Sequence, residues 1–266
     1  MNPKPLYSGR NVSPAYALRY SWSAFTTQGS SPPSGTERAI EDLAVVWEKD
    51  GLRLLEHRVG EKKVQATFSC RADVAPMFLA ARAKGRLQHA LRMVGTPVKF
   101  ARNFSVRSLG KNTRQDVESY IRTQVDRASL ADADYGQSLQ DCAWDDDSVD
   151  LSVPSVTASG RYWYGLHLVL ITAERYRMDA QRTALLIRDT CLAVARKKGY
   201  GISALSLMPD HLHALVRGNP EHSPAEIVLA FQNNTAWKLG QVRFWQDTYY
   251  AGTTGEYTMR AVRPRV

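Results

Sequence analysis

The sequence predicts an α+β protein of two tandem units, each an antiparallel sheet with helices, and three observations carry that prediction. Runs such as Leu18, Tyr20, Trp22 and Leu166, Leu168, Leu170 alternate with the period of half-buried strands. Ile40, Leu43, Ala44 and Trp47 stand at i, i+3, i+4 and i+7, the spacing of one helix face. Both patterns occur twice, on either side of an acidic stretch.

The elements fall in the same order in each half. At a fixed offset of 148, Leu18 falls on Leu166, Tyr20 on Leu168 and Trp22 on Leu170, which predicts a first strand in each half. At that offset Leu43 falls on Cys191, Val46 on Val194 and Gly51 on Gly199. The first helix therefore ends in "EKDG" in one half and "RKKG" in the other, a charged last turn followed by a helix-stopping glycine. A short apolar run and a second strand follow each glycine, and in the second half that strand contains "MPDHLHALV", Met208 to Val216. Near the end of each half the register shifts by three, pairing Gly110 with Gly255, Thr113 with Thr258 and Val117 with Val262. Each half thus reads strand, helix, strand, second helix, strand, terminal helix, and an internal duplication accounts for the match. The domains expected are residues 1–127, an acidic linker at 128–158, and residues 159–266.

Charge follows the same division. Residues 1–127 carry 21 Lys+Arg against 11 Asp+Glu, residues 128–158 none against 7, and residues 159–266 carry 14 against 8. Two basic segments flanking an acidic one are what a polyanionic partner requires, although solvated surface gives the same sums. Cys70, Cys142 and Cys191 are too few and too scattered for a disulfide framework or a four-thiolate zinc site. The first residues, "MNPKPLYSGR", hold no apolar core of a signal peptide, and nowhere do about 18 uncharged apolar residues run together. A cytoplasmic protein without a membrane span is expected.

The halves differ where chemistry would sit. His211 and His213 stand opposite Lys63 and Gln65, so the first half lacks the histidine pair. Conversely, "DVESYIRTQVDR" ends the first half with Tyr120 and Gln124, whereas the second ends in "AVRPRV", with Arg265 opposite Tyr120. On a strand, residues two apart face one side, so His211 and His213 aim both imidazoles at one point, as adjacent ligands of a divalent ion must. On a helix, residues four apart share a face, which pairs Tyr120 with Gln124. If the Tyr helix of the first half lies across the His strand of the second, one composite site results.

"MPDHLHALV", a following Ser-Pro helix start, a strand and a Tyr-x-x-x-Gln helix together resemble the single-tyrosine HUH transposases and their REP-associated relatives. The resemblance covers about Leu18 to Val125 and Tyr162 to the C-terminus, and it rests most on the His-Leu-His segment and on "SLGKNTRQDVESYIRTQ". It implies two ferredoxin-like HUH endonuclease domains packed as a pseudo-dimer. It also implies Tyr120 as a nucleophile toward a DNA phosphate, with His211, His213 and Gln124 as ligands of Mg²⁺ or Mn²⁺. The substrate implied is single-stranded DNA folded as a hairpin, which places the protein at the nucleoid. The sequence departs from the family in dividing the two motifs between its halves.

A neutral phenol is a poor nucleophile unless a cation or base helps it, which is what a metal beside Tyr120 would supply. The activity implied is site-specific cleavage and strand transfer through a 5′-phosphotyrosine, in transposition or in processing a replicon end. Two rivals stand beside it: a domesticated hairpin-binding protein without catalysis, and a metal hydrolase in which water replaces Tyr120. Asp210 could orient a ligating imidazole or serve as an ordinary turn acid. His167 reads as a structural residue of a first strand with DNA as its other option, and His222 as a surface residue. For DNA contacts, Lys84, Arg86 and Arg92 are candidates for phosphates, and Trp245, Tyr249 and Tyr250 for stacking on unpaired bases. One chain is expected to act as a monomeric pseudo-dimer, with further self-association open.

Overall fold

The computed structural model describes residues 5–27, 30–128, 130–240 and 242–255. The first half runs β1 (Ser13–Ala17), β2 (Arg19–Thr26), α1 (Thr36–Lys49), β3 (Leu52–Val59), β4 (Lys63–Cys70), α2 (Pro76–Met93), β5 (Phe100–Leu109) and α3 (Arg114–Arg122). Then come α4 (Gln124–Arg127), α5 (Ala133–Gln140), β6 (Trp144–Asp145) and β7 (Ser155–Val156). The second half runs β8 (Gly160–Trp163), β9 (Gly165–Thr172), α6 (Leu185–Lys198), β10 (Gly201–Met208), β11 (His211–Arg217), α7 (Pro224–Lys238) and β12 (Trp245–Thr253). This is a mixed α+β fold of two six-stranded sheets with helices packed on them.

One sheet has the order β3-β4-β2-β5-β8-β7 and the other β10-β11-β9-β12, extended by β6 beside β10 and β1 beside β12. Four consecutive strands of each sheet, β3-β4-β2-β5 and β10-β11-β9-β12, therefore repeat one order. Each half also lends its opening strand to the other sheet: β1 pairs parallel with β12, and β8 pairs parallel with β5. The chain crosses between sheets at Leu18 and at Tyr164, both buried. Gly110 and Gly255 meet near the seam, with Gly110 N donating to Gly255 O at 2.9 Å. A Cβ on Gly110 would lie 2.3 Å from the Thr253 carbonyl oxygen, and one on Gly255 2.7 Å from that of Ser108. Only glycine lets these backbones approach so closely.

The helices follow their local signals. Gly51 and Gly199 adopt φ of +82° and +72° after α1 and α6, the left-handed conformation that stops a helix cheaply at glycine. Thr113 and Asp116 form a reciprocal capping box at the start of α3, and Ser223 with Glu226 does the same for α7.

Three expectations are corrected, and a fourth falls outside the described residues. The short apolar run after each glycine is itself a strand, so β3-β4 and β10-β11 are hairpins, and Pro209 and Asp210 form the turn between Met208 and His211. The first-strand offset is 146: Trp22 pairs Ala66 and Leu168 pairs Ala214, so Trp22 matches Leu168 once Ala66 is set on Ala214. A slip of two keeps every side chain on its face, which is why alternation alone could not fix it. The acidic segment does not hang free, since β6 pairs β10 and α5 packs on the same sheet. Finally, Thr258, Val262 and Arg265, with the terminal helix of the second half, lie outside the described residues.

Candidate active site

The face of the second sheet that carries His167, Val169, His211 and His213 receives α3 of the first half. Val117 and Ile121 of α3 are buried against Ala204 on β10 and Leu215 on β11, with Leu151 beside them. The acidic segment holds both ends of the helix: Arg114 pairs with Asp150 at 2.7 Å, and Arg122 reaches Asp145 and Asp147 at 2.9 and 2.6 Å. One turn of apolar contact and two clamps fix where Tyr120 points.

Tyr120 meets the histidines. Its ring centroid is 5.5 Å from that of His213 and 6.3 Å from that of His167, edge to face in both cases. Tyr120 is 40% exposed and His213 only 6%, so the phenol lies between solvent and the buried imidazole. The rings of His211 and His213 are 4.9 Å apart, as neighbours two residues apart on a strand should be.

Each imidazole of the pair spends Nδ1 on a protein partner. His211 Nδ1 lies 2.6 Å from Asp210 Oδ1, and Arg175 holds the other carboxylate oxygen at 2.9 Å. Arg175 and Glu174 reach this position with φ of +56° and +52°, conformations that cost strain in residues with a Cβ. His213 Nδ1 lies 3.0 Å from His167 Nε2. The Nε2 atoms of His211 and His213 have no hydrogen bond among the described residues, and these are the atoms free to bind an ion.

Burial sets the protonation states. Desolvation, with lesser contributions from His167 and His211, pushes His213 down to about 3, and desolvation pushes His167 down to about 4. Both rings are neutral near pH 7, the form in which an imidazole carries a lone pair. Burial opposes ionisation of Asp210, but hydrogen bonds from His211 and Arg175 outweigh it and hold the carboxyl below its usual range.

Gln124 departs from its expected place. The Tyr helix breaks at Thr123 (φ −100°, ψ 8°), so Gln124 opens the separate turn α4, packed over β10. It does not share a helix with Tyr120, and it makes no hydrogen bond to either histidine among the described residues. Its Oε1 is nevertheless buried without a partner, an acceptor left unsatisfied beside the histidine hairpin. Among the described residues no three His, Cys, Asp or Glu side chains are arranged to hold a metal ion. The two free imidazole nitrogens and the unpartnered amide oxygen are donor types that a divalent cation such as Mg²⁺ or Mn²⁺ accepts.

The expected DNA contacts sort by burial. Trp245 and Tyr249 are core residues at 1% and 3% exposure, and Trp245 Nε1 donates to Thr235 Oγ1, so their stacking role is corrected. Lys84 donates to the Ala101 carbonyl and Arg86 is paired with Asp50 at 2.5 Å, which ties up both as phosphate contacts. Arg92 is exposed, and Tyr250 is half-exposed with its ring 5.9 Å from that of His167. Sequence reasoning missed the bond from His167 to His213. Its signal was present: His167 alternates with Leu166 and Leu168, hence faces away from the core, toward the side where the histidine pair had to be.

Residues 161–264 match the family described as "Transposase IS200 like". The matched stretch contains His167, His211 and His213 but neither Tyr120 nor Gln124. No curated protein matches the chain. Among solved structures, the chain is similar to a REP-associated tyrosine transposase bound to a REP hairpin (13% identity, 34% of this chain, 55% of that one, TM-score 0.31). It thus spans little more than half of that relative's length. A putative transposase from Deinococcus radiodurans R1 is similar at 22% identity over 37% of this chain and 84% of that one, also with TM-score 0.31. With scores this low, the assignment rests on the family match. Among the described residues no helix is long and apolar enough to cross a membrane.

Proposed function

We propose that this chain is a metal-dependent, site-specific single-stranded DNA nickase and strand transferase whose single active site is assembled from its two halves. The observation that carries the reading is the placement of Tyr120, from the first half, against His213, from the second. On this reading residues 1–127 and 159–266 are two HUH-type domains produced by duplication, joined through 128–158 and packed as a pseudo-dimer. The repeated strand order and the reciprocal exchange of β1 and β8 support it.

His211, His213 and Gln124 would hold Mg²⁺ or Mn²⁺, which when bound offsets the charge developing on the oxygens of the scissile phosphate. Asp210 and Arg175 fix the orientation of His211, and α3 presents the Tyr120 hydroxyl at the solvent side of the pair. The Tyr120 oxygen attacks phosphorus and gives up its proton. The bond from phosphorus to the 3′ oxygen breaks, and that oxygen leaves as a 3′-hydroxyl on taking up a proton. The other strand end stays on the protein as a 5′-phosphotyrosine. Attack by a 3′-hydroxyl reverses these steps and reseals the strand without a nucleotide cofactor.

With one nucleophilic tyrosine per chain, one 5′ end is held at a time. Nicking and resealing of a hairpin or replicon end therefore suits a single chain, whereas exchange of two ends needs two chains. The test is incubation with hairpin-containing single-stranded DNA from around the gene and Mn²⁺, followed by a denaturing gel. Wild type should carry a covalently attached strand and Tyr120→Phe none. A hairpin-binding protein without catalysis would form no adduct in either, and a hydrolase using water would still cleave in the variant.

A further inference from the structure

His167 lies outside the set of residues that the proposed reaction uses, yet among the described residues it is the one side chain hydrogen-bonded to the buried member of the histidine pair. The ring planes of His167 and His213 differ by 21° and their centroids are 5.3 Å apart. That separation exceeds the 3.0 Å between Nε2 and Nδ1 by about two ring radii, so the rings stand end to end with the bond near both planes. This is the geometry of a directed hydrogen bond, and the two imidazoles are not stacked face to face.

Such a bond has two possible directions with opposite consequences. If His167 donates, His213 keeps its proton on Nε2 and cannot bind an ion through that atom. If His213 donates from Nδ1, its Nε2 carries the lone pair. The neighbouring histidine shows which arrangement suits the hairpin: Asp210, an acceptor when ionised, fixes the proton of His211 on Nδ1 and leaves Nε2 bare.

We propose that His167 is a positioning residue whose Nε2 accepts the Nδ1 hydrogen of His213, fixing the tautomer and ring orientation in which His213 offers an unprotonated Nε2 to the divalent cation. The proposal rests on the reading of His213 as a ligand. The two ligands are then oriented by unlike partners, a carboxylate for His211 and a neutral imidazole for His213. The neutral partner adds no charge to the interior at a site that a cation and a phosphate must share.

The experiment uses the full chain, and its first readout requires neither metal nor activity. In ¹⁵N-histidine spectra of metal-free wild type, His213 should appear as the Nδ1–H tautomer, and in His167→Leu that preference should be lost. The second readout is Mn²⁺ affinity by titration. His167→Leu should bind roughly 10- to 100-fold more weakly than wild type, and His167→Gln, which restores an acceptor, should recover most of the loss. An Nε2–H tautomer at His213 in wild type overturns the proposal, as does unchanged Mn²⁺ affinity in folded His167→Leu. Absence of Mn²⁺ binding in wild type would instead refute the metal reading, while the tautomer spectrum still decides the role of His167.

Discussion

The centres of the two sheets place a polar pair at matching positions with different chemistry. In the second sheet His213 pairs in register with Val169 and bonds diagonally to His167 at 3.0 Å. In the first, Gln65 pairs with Ser23, and its Nε2 donates diagonally to Ser21 Oγ at 3.1 Å. All these polar side chains are largely buried, so each sheet satisfies part of its hydrogen-bonding demand with a cross-strand bond. An amide and a hydroxyl do that as well as two imidazoles. What they lack is a neutral nitrogen lone pair, and the first sheet has lysine, Lys63, at the position of His211. The comparison separates what the fold needs at this place, a polar pair, from what the proposed chemistry needs, a pair of histidines.

Exchanging the pairs breaks this comparison most severely. Giving the second sheet the residues of the first, His211→Lys with His213→Gln, should abolish Mn²⁺ binding and adduct formation while circular dichroism shows a folded protein. The converse, Lys63→His with Gln65→His, should add a weaker second Mn²⁺ site to the titration and no second adduct. If the converse variant gained an adduct of its own, a residue other than Tyr120 would be serving the first sheet.

A smaller effect is expected where α3 docks. Ile121 is 1% exposed against Ala204 and Leu215, and truncating it to alanine should cost about 2–4 kcal/mol in chemical denaturation. Adduct formation in this variant should fall more than hairpin binding, because the helix that carries Tyr120 loses its anchor. Equal loss of both would make α3 a structural element without a special tie to the chemistry.

The smallest effect is on pH dependence. His213 and His167 titrate near 3 and 4 in the folded protein, below the ordinary histidine value of 6.5, so the unfolded chain takes up protons first on acidification. Their contribution to stability is fully present above about pH 6.5 and declines as pH falls toward the folded values, by up to about 1.4 kcal/mol per pH unit for each ring. In metal-free protein, His167→Gln should flatten the melting temperature between pH 6 and 4, whereas Gln65 and Ser21 contribute nothing to that slope. An unchanged slope would mean that His167 is not held neutral by burial.

Much of this was legible before the structure. The helix-stopping glycines at 51 and 199, the Ser-Pro start of α7 and the alternation of β2 and β9 are local signals, and local signals survive in sequence. So is the two-residue spacing of His211 and His213, whose shared direction needs only a strand. The exchange of β1 and β8 was not legible, because Pro14 finds its partner at Tyr249, and a pairing over that distance leaves no mark in periodicity. The break at Thr123 is not legible because Arg122 to Gln124 hold no proline or glycine to mark it. From sequence His167 reads as structural, since a lone histidine on a strand usually is, and only the register of β9 against β11 brings its ring to His213.

The central claim is that a tyrosine from one half serves a histidine pair from the other, and covalent capture tests it most directly. Wild type incubated with hairpin-containing single-stranded DNA and Mn²⁺ should yield a protein–DNA adduct whose linked peptide maps to Tyr120, and Tyr120→Phe should yield none while still binding the hairpin. An adduct mapping to another residue, or cleavage that persists in Tyr120→Phe, would contradict it.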